Sequence, residues 1–363
     1  DIWRSAVMKT TILGGGNIGT LMAAEFAKKG HDVTVYTSKP EKWSNEIEVY
    51  DASDRLLKSG VIKKATDSIE EALDGAEYIW VVMPAQLFSP LAEKMTPYLK
   101  AGQYIGVVPG SGGAEFAFHD AIKKGCTLFG FQRVHSIARL KKYGHAVYEL
   151  GRKDELQIGA IPSDKTVEIC GKVSTMFDMP CVPLSNYLSV TLTPSNPILH
   201  TTRLYSIFKD HAEGKVYPRN FLFYEEWDDP SSEMLIACDG ELQKLCDVIP
   251  LDLKSVKSLR DHYESHTVDA MTKKISSIKA FKGLTSPMTE TESGWVPDWS
   301  SRYFTADFSF GLKIIRDIAK MFGVDTPNIE KVWEWYLNAA KVNKDSYFEN
   351  KLDKDSFLKL YGV

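Results

Sequence analysis

The chain has 363 residues, of which 44% are hydrophobic and 25% charged, and its formal net charge is −4. This length is too great for one typical hydrophobic core, so we expect two domains. The small negative charge gives no electrostatic reason to expect nucleic acid or an anionic membrane as a partner. No stretch holds eighteen consecutive apolar residues, so no transmembrane helix is predicted.

Cysteine usage and the N-terminus both indicate a cytoplasmic protein. The five cysteines are odd in number and scattered, and they lack the pair spacing of a zinc site. We therefore expect reduced thiols and no bound metal. Residues 1–7 have no basic region followed by an apolar one, so they do not form a signal peptide. We expect the natural chain to start at Met8.

Strand and helix patterns alternate over the first half of the chain. Lys9–Leu13 is a β-rich run, residues 17–29 carry apolar positions at helical spacing, and residues 31–38 are predicted as a strand. Continuous apolar runs at 76–84 and 103–110 suit strands buried on both faces of a parallel sheet. Helical patterns separate these strands, and a last helix and strand are predicted over residues 163–178 and 179–185. The order predicts a Rossmann-type, doubly wound parallel-sheet domain over residues 8–186.

The second half of the chain is predicted to be an all-helical domain over residues 187–363. Helical patterns recur there, separated by polar loops, at residues 191–209, 231–249, 252–265, 305–322 and 328–341. Residues 284–300 are rich in Pro, Ser, Thr and Trp, and we expect a long ordered loop there. Loops of that length are often functional.

A glycine-rich turn follows the first predicted strand. Its residues are Gly14, Gly15, Gly16, Asn17, Ile18 and Gly19, which fit the pattern G-x-G-x-x-G. Gly14 permits the tight turn, Gly16 lets the backbone approach a pyrophosphate, and Gly19 allows close packing of helix and sheet. The helix N-terminus offers free N–H groups to the phosphates. The motif lies between a predicted strand and a helix, and this context favours a dinucleotide site over a plain turn.

The end of the second strand bears on the choice of cofactor. An NAD site commonly has Asp or Glu there to bond the ribose 2′-hydroxyl, whereas this chain has Thr37, Ser38 and Lys39. Small hydroxyls and a cation suit a 2′-phosphate, so NADP(H) is favoured. A solvated basic turn that still binds NAD(H) is the alternative.

Two further strand ends are candidates for lining the ligand crevice. Pro84 and Ala85 follow the apolar strand 78–83, and the glycine-rich run 109–113 follows the next one. The carboxyl ends of strands in an open α/β sheet face the ligand crevice. Ordinary turn chemistry explains these residues equally well.

Two C-terminal segments carry a resemblance to a known family. The runs LTPSNPILH (192–200) and SRYFTADFSFGL (301–312) resemble the opine dehydrogenases, and the likeness extends to VVMPA, to VPGSGGAEF, to RLKKYGHAVYELG and to FKGLTSP. These enzymes join an amino acid to a 2-oxo acid by NAD(P)H-dependent reduction of an imine. The resemblance covers nearly the whole chain after Met8. It implies a dinucleotide-binding domain followed by a helical substrate domain.

The resemblance also implies roles for four residues. It makes His200 and Asp307 a catalytic acid–base pair and Asn196 and Arg302 substrate-binding residues. Histidine exchanges a proton close to neutral pH, and a carboxylate partner holds the ring tautomer. An arginine fork suits a substrate carboxylate. Asn196 and His200 are four residues apart, so on a helix they share one face. Without the resemblance, a structural role is the favoured explanation of each residue.

Residues 130–139 depart from the family pattern. Arg133 and His135 stand where neutral residues are expected. Arg133 is a candidate for recognising an additional carboxylate, and His135 is a candidate polar contact. These departures affect the expected substrate pair and not the reaction class.

Three functions fit these observations. The first is an opine dehydrogenase acting on an amino acid and a 2-oxo acid such as pyruvate. The second is a simple 2-oxo or 3-hydroxy acid reductase of the ketopantoate or glycerol-3-phosphate reducer type, which commonly has a catalytic lysine. The third is a non-catalytic dinucleotide sensor, which needs no acid–base set. The first is favoured, with small molecules as partners, and the sequence allows a homodimer.

Overall fold

The computed structural model describes residues 6–343, 348 and 352–363. The chain divides into two compact units, which we call the N-terminal unit (Asp1–Thr191 with Leu360–Gly362) and the C-terminal unit (Leu192–Lys359 with Val363). The division falls after Thr191, whereas the sequence analysis predicts a boundary after residue 186. The last residues of the chain return to the N-terminal unit, which no local sequence pattern indicates.

The N-terminal unit consists of twelve strands and seven helices in its described part. In chain order they are β1 (Lys9–Leu13), α1 (Asn17–Lys28), β2 (Asp32–Tyr36), β3 (Glu46–Tyr50), β4 (Leu56–Val61), β5 (Lys64–Thr66), α2 (Ile69–Leu73), β6 (Tyr78–Val81), α3 (Phe88–Met95), β7 (Tyr104–Val107), α4 (Ala114–Ala117), α5 (His119–Lys123), β8 (Thr127–Phe131), β9 (Ser136–Lys142), β10 (Ala146–Arg152), β11 (Leu156–Ile161), α6 (Thr166–Phe177), β12 (Cys181–Pro183) and α7 (Leu188–Thr191).

Eight of these strands form the main sheet, in the order β12-β11-β8-β7-β6-β1-β2-β5. All its neighbouring strands are parallel except β8 and β11. Every residue of Tyr78–Val81 is buried, as expected for a strand covered on both faces. The predicted doubly wound fold is therefore confirmed. The antiparallel pair arises because the chain between β8 and β11 forms a hairpin rather than a crossover helix.

A second sheet, of order β4-β3-β10-β9, was not predicted from the sequence. It packs on helix α1, and Gly60 of β4 lies so close that a side chain there would clash with the backbone of Ala24. Helix α1 is thus covered by the main sheet on one side and the small sheet on the other. This explains why residues from Gly19 to Phe26 are all buried.

The C-terminal unit is helical, which confirms the predicted class, but it is not all-helical. Its regular elements are α8 (Thr201–Phe208), α9 (Asp229–Val248), α10 (Leu259–His262), α11 (Val268–Ser276), β13 (Met288–Thr291), β14 (Gly294–Pro297), α12 (Arg302–Thr305), α13 (Lys313–Met321), α14 (Pro327–Ala340) and α15 (Lys354–Leu360). The antiparallel hairpin β13-β14 lies within the segment predicted as a loop. Its strands alternate little in polarity, so no strand signal marked them.

Two short π-helices also occur in the C-terminal unit, at Ser195–His200 and Phe308–Leu312. Such wider turns are rare and are found frequently at functional sites.

Within the described part of the chain, no helix is both long enough and apolar enough to cross a membrane.

Candidate active site

The glycine turn between β1 and α1 has the geometry of a phosphate cradle. Gly14 has φ +124°, and a side chain there or at Gly19 would clash with backbone oxygens. These two glycines are therefore required by packing. Gly16, which caps α1, is exposed, and no described atom lies within 4 Å of the place where its Cβ would be. The open space at Gly16, beside the free N–H groups of the helix, fits a pyrophosphate.

The next two residues of the turn serve the fold as well. The Asn17 side chain accepts a hydrogen bond from the backbone N–H of Leu140 at 2.8 Å, which ties the start of α1 to β9. Ile18 is half-buried and packs against the core of the N-terminal unit. The backbone N–H groups of these residues are the part that helix N-termini use for anions.

The turn after β2 contains the residues expected at the adenosine ribose. Thr37 is buried, and its hydroxyl is hydrogen-bonded to the hydroxyl of Tyr143 at 2.6 Å. It also accepts from the backbone N–H of Lys39 at 3.3 Å, which shapes the turn. Ser38 and Lys39 are exposed. Thr37 therefore positions the turn, whereas Ser38 and Lys39 are the residues that can contact a ligand.

The strand ends predicted to line the crevice lie together. Pro84 and Ala85 follow β6, and a Cβ on Gly112, in the loop after β7, would lie 2.5 Å from the Ala85 Cβ. Gly112 has φ +106°, which only glycine adopts easily. The two loops at the carboxyl edge of the sheet therefore depend on glycine for their close approach.

His200 and Asp307 form a hydrogen-bonded pair. The distance between His200 Nδ1 and Asp307 Oδ2 is 2.8 Å, and the two side chains are 11% and 13% exposed. Burial raises the pKa of Asp307, while the charges of His200 and Arg302 and the hydrogen bond to His200 act against that rise. An ionised Asp307 only accepts hydrogen bonds, so Nδ1 carries the hydrogen and Nε2 is the nitrogen that can exchange a proton.

The two π-helices bring this pair together. His200 is the last residue of the first π-helix, and Asp307 immediately precedes the second. The two helices approach each other at Pro197 and Gly311, where a Cβ on the glycine would lie 2.9 Å from the Pro197 Cβ. The absence of a side chain at Gly311 allows this approach and so helps to set the distance between the histidine and the carboxylate.

Sequence reasoning missed the residue on the other side of the imidazole. The hydroxyl of Tyr224 lies 3.0 Å from His200 Nε2, and burial raises the pKa of Tyr224 well above its usual value. Tyr303 meets the same ring edge-to-face at 4.7 Å between centroids. The run FLFYEEW around Tyr224 is merely aromatic, so no sequence signal linked it to the histidine.

Two predicted substrate residues in the C-terminal unit are exposed. Arg302 lies in α12 and acts electrostatically on Asp307. Asn196 lies in the first π-helix, and within the described part of the chain no hydrogen bond joins its side chain to His200. Trp299 is half-buried and packs against the buried Phe304 at 4.6 Å between centroids.

In the N-terminal unit, Arg133 and His135 lie in different environments. Arg133 is half-buried in the turn between β8 and β9. His135 is fully buried, and its Nε2 lies 3.0 Å from Glu25 Oε1. The expected polar contact of His135 with substrate is therefore wrong, because its ring is part of a buried ionic cluster under the small sheet. Among the described residues, no group of three or more His, Cys, Asp or Glu side chains could hold a metal ion.

Models of known protein families match segments in both halves of the chain. Residues 183–340 match the family described as NAD/NADP octopine/nopaline dehydrogenase, alpha-helical domain. Residues 9–115 match the family described as NAD-dependent glycerol-3-phosphate dehydrogenase N-terminus.

Similar proteins extend the match over nearly the full length. The chain is 27% identical to tauropine dehydrogenase of Arabella iricolor, over 90% of this chain and 89% of that protein. It is 26% identical to octopine dehydrogenase of Pecten maximus, over 95% and 93% of the two chains. A solved structure of octopine dehydrogenase with NADH and L-arginine shares the fold, with a TM-score of 0.80 and 23% identity over 92% of this chain and 90% of that one.

Three observations agree with one another: the open glycine turn, the family match of the helical unit, and the near full-length likeness to tauropine and octopine dehydrogenases. The chain carries a helical domain that matches the octopine/nopaline dehydrogenase model, is similar over nearly its full length to tauropine and octopine dehydrogenases, and is an NAD(P)-dependent oxidoreductase.

Proposed function

We propose that this enzyme reduces the imine formed from an amino acid and a 2-oxo acid such as pyruvate, with His200 and Asp307 as its acid–base pair. The product is an N-(carboxyalkyl)amino acid, and the reaction is reversible. The observation that carries the proposal is the 2.8 Å hydrogen bond between His200 Nδ1 and Asp307 Oδ2, in a largely buried position. Such a pair suits general acid–base chemistry near neutral pH.

The balance of the reaction requires proton transfers that the pair can supply. The amino group adds to the 2-oxo carbonyl, water leaves, and an imine forms. When bound, the reduced nicotinamide supplies a hydride for the imine carbon. As the imine forms, the nitrogen releases one proton and the departing hydroxyl takes one up to leave as water. The nitrogen then takes up one proton on reduction, so the reaction consumes one proton overall. His200 Nε2 is the proton-exchanging atom, because Asp307 holds the hydrogen on Nδ1.

Tyr224 is proposed to assist this transfer. Its hydroxyl lies 3.0 Å from Nε2, and it stays protonated because burial raises its pKa. Because its hydroxyl occupies the hydrogen-bonding direction of Nε2, it can donate to the neutral imidazole, accept from the imidazolium and relay the proton between Nε2 and the substrate. This holds the ring in one orientation through the proton transfer.

Three further residues are proposed to bind substrate. Arg302 is exposed and fits a substrate carboxylate, which accepts a bidentate pair of hydrogen bonds. Asn196 is exposed near the start of the π-helix that ends at His200, and its amide suits a substrate oxygen. Arg133, in the N-terminal unit, is proposed to recognise an additional carboxylate.

For the cofactor, we propose binding at the glycine turn with a preference for NADP(H) over NAD(H). The open space at Gly16 supports a pyrophosphate there. The backbone of residues 14–19 would hold the phosphates, with Pro84 and Ala85 at the carboxyl edge of the sheet. Exposed Ser38 and Lys39 favour a 2′-phosphate, because a hydroxyl and a cation can both donate to it.

The experiment that tests the function is oxidation of NADPH and NADH, followed at 340 nm, with pyruvate or 2-oxoglutarate and a panel of amino acids. Each substrate is also omitted in turn. We expect oxidation only when the amine and the 2-oxo acid are both present. Oxidation with the 2-oxo acid alone would instead establish a simple reductase, and the proposal would then be wrong.

A further inference from the structure

The N-terminal unit contains a cleft of about 670 Å³ beside the carboxyl end of β2. Two separate segments form its walls, and we call it the basic cleft. The turn after β2 contributes Ser38, Lys39 and Lys42, and the tip of the β9-β10 hairpin contributes Lys142, Tyr143 and His145. The hairpin tip comes from about a hundred residues later in the chain, so no local motif predicts its presence here.

The hairpin tip is fixed against the turn. The Tyr143 hydroxyl is hydrogen-bonded to Thr37, and the backbone carbonyl of Gly144 accepts from the N–H of Ser44 at 2.9 Å. Gly144 has φ +71°, and a Cβ there would lie 2.5 Å from the carbonyl oxygen of Lys42. The two walls of the cleft are therefore held at a set separation, and a ligand would meet a preformed site.

The charge of the basic cleft is mainly positive. Lys39, Lys42 and Lys142 are exposed, and none of them forms an ion pair within the described part of the chain. The neighbouring Lys141 differs, because its ammonium pairs with Asp54 and bonds the Tyr148 hydroxyl at 3.3 Å. Three lysines around one cleft without carboxylate partners form a site for an anion.

We propose that the basic cleft binds the 2′-phosphate of the cofactor's adenosine, with Lys142 of the hairpin tip opposite Lys39 and Lys42. This inference rests on the proposed dinucleotide function. Trp43, the residue after Lys42, links the cleft wall to the glycine turn, because a Cβ on Gly15 would lie 2.7 Å from its indole. The small sheet thus supplies a specificity-determining residue, Lys142, that lies outside the dinucleotide motif.

One residue that lines the cleft favours NAD(H) rather than NADP(H). Glu41 is also part of its lining, and a carboxylate near β2 can accept a hydrogen bond from the ribose 2′-hydroxyl of NAD. The lysines outnumber it three to one, so the net charge of the wall favours phosphate. A test must therefore separate the effects of Lys142 and Glu41.

The test compares Lys142→Gln with Lys141→Gln, a matched control one residue away whose side chain is bound to Asp54 rather than lining the cleft. Calorimetry measures binding of NADPH, NADH, 2′,5′-ADP and 5′-ADP to the full chain. We expect Lys142→Gln to weaken NADPH and 2′,5′-ADP by about tenfold, the usual effect of losing a charged hydrogen bond, with NADH and 5′-ADP unchanged. Lys141→Gln should change none of the four.

Other outcomes would contradict the role of the basic cleft. Equal effects of Lys142→Gln on NADPH and NADH, or no effect on either, would overturn the inference. So would a site that binds inorganic phosphate as tightly as 2′,5′-ADP, because the cleft would then recognise a free anion. A loss of NADH affinity in Glu41→Gln, in a protein that prefers NADH, would assign the cleft to the 2′-hydroxyl. Failure to bind any dinucleotide would contradict the proposed function itself, whereas turnover with NADH alone contradicts only this inference.

Discussion

His200 Nδ1 lies 2.8 Å from Asp307 Oδ2, and the two residues stand at the ends of two π-helices that approach each other at Pro197 and Gly311. This hydrogen-bonded pair therefore depends on a local departure from α-helical geometry in two segments that are far apart in sequence. Substitutions can test separately the His200–Asp307 pair, the close approach of the two π-helices, and the glycine turn.

Asp307→Asn should lower kcat by about 10²–10⁴, because an amide neither fixes the Nδ1–H tautomer nor stabilises the imidazolium. Binding of NADPH, measured by its fluorescence, should stay as in the wild type. Wild-type turnover in this variant would show that the carboxylate has no part in catalysis.

Tyr224→Phe should lower kcat about tenfold through loss of the 3.0 Å contact with His200 Nε2. The stacking of this ring on Phe281, at 4.0 Å between centroids, should keep the melting temperature unchanged. Tyr205→Phe is the matched control. Its ring packs on Trp335, and among the described residues its hydroxyl makes no hydrogen bond. Equal effects of the two substitutions on kcat would contradict the role of Tyr224.

Gly311→Ala should separate the two π-helices, because the added Cβ would lie 2.9 Å from Pro197 Cβ. We expect kcat to fall at least tenfold while the free energy of unfolding falls by about 1–3 kcal/mol. The control is Gly240→Ala in α9, where no described atom lies within 4 Å of the added Cβ. It should stabilise the protein by about 0.5–1 kcal/mol without altering kcat. Unchanged kcat in Gly311→Ala would show that the close approach does not set the site.

Gly16→Ala and Gly19→Ala should have opposite consequences. The first fills open space, so it should weaken NADPH binding at least tenfold and leave the melting temperature unchanged. The second clashes with the Gly14 carbonyl, so it should cost about 1–3 kcal/mol of unfolding free energy. Denaturation and fluorescence titration distinguish the two. Undiminished NADPH affinity in Gly16→Ala would show that the pyrophosphate does not bind at this turn.

Acid should destabilise the fold through Glu25. Burial alone would raise the pKa of Glu25, but the hydrogen bond from His135 and the charges of His135, Lys58 and Arg152 lower it from 4.5 to about 2. A lowered pKa means that the ionised carboxylate stabilises the fold above about pH 4.5. That contribution is lost as the pH falls towards about 2.

Urea denaturation of the wild type and Glu25→Gln between pH 6 and pH 3 tests this. The stability advantage of the wild type should shrink on acidification, by an amount on the order of 2–3 kcal/mol over the full titration. A difference between the two proteins that does not depend on pH would contradict the lowered pKa.

Much of the plan of the molecule follows from the sequence. The continuous apolar runs and the glycine turn predict the parallel sheet and its first helix, because burial on both faces and the turn at Gly14 are local demands. The segments containing His200 and Asp307 indicate the family, since their resemblance needs no knowledge of contacts. Strands β3 and β4 of the small sheet were missed: β3 alternates in burial over only five residues, and β4 is exposed or half-buried at all but one residue and does not alternate.

The sequence by itself determined the fold class and the position of the glycine turn, and its family resemblance singled out His200 and Asp307, which the structure joins by a hydrogen bond. Only the tertiary structure decided that Tyr224 faces His200 Nε2, that His135 is bound to Glu25, and that Lys142 reaches the turn after β2. The physical reason is that periodicity and turn chemistry act between residues a few positions apart. These three contacts join residues that only the packing of whole elements brings together.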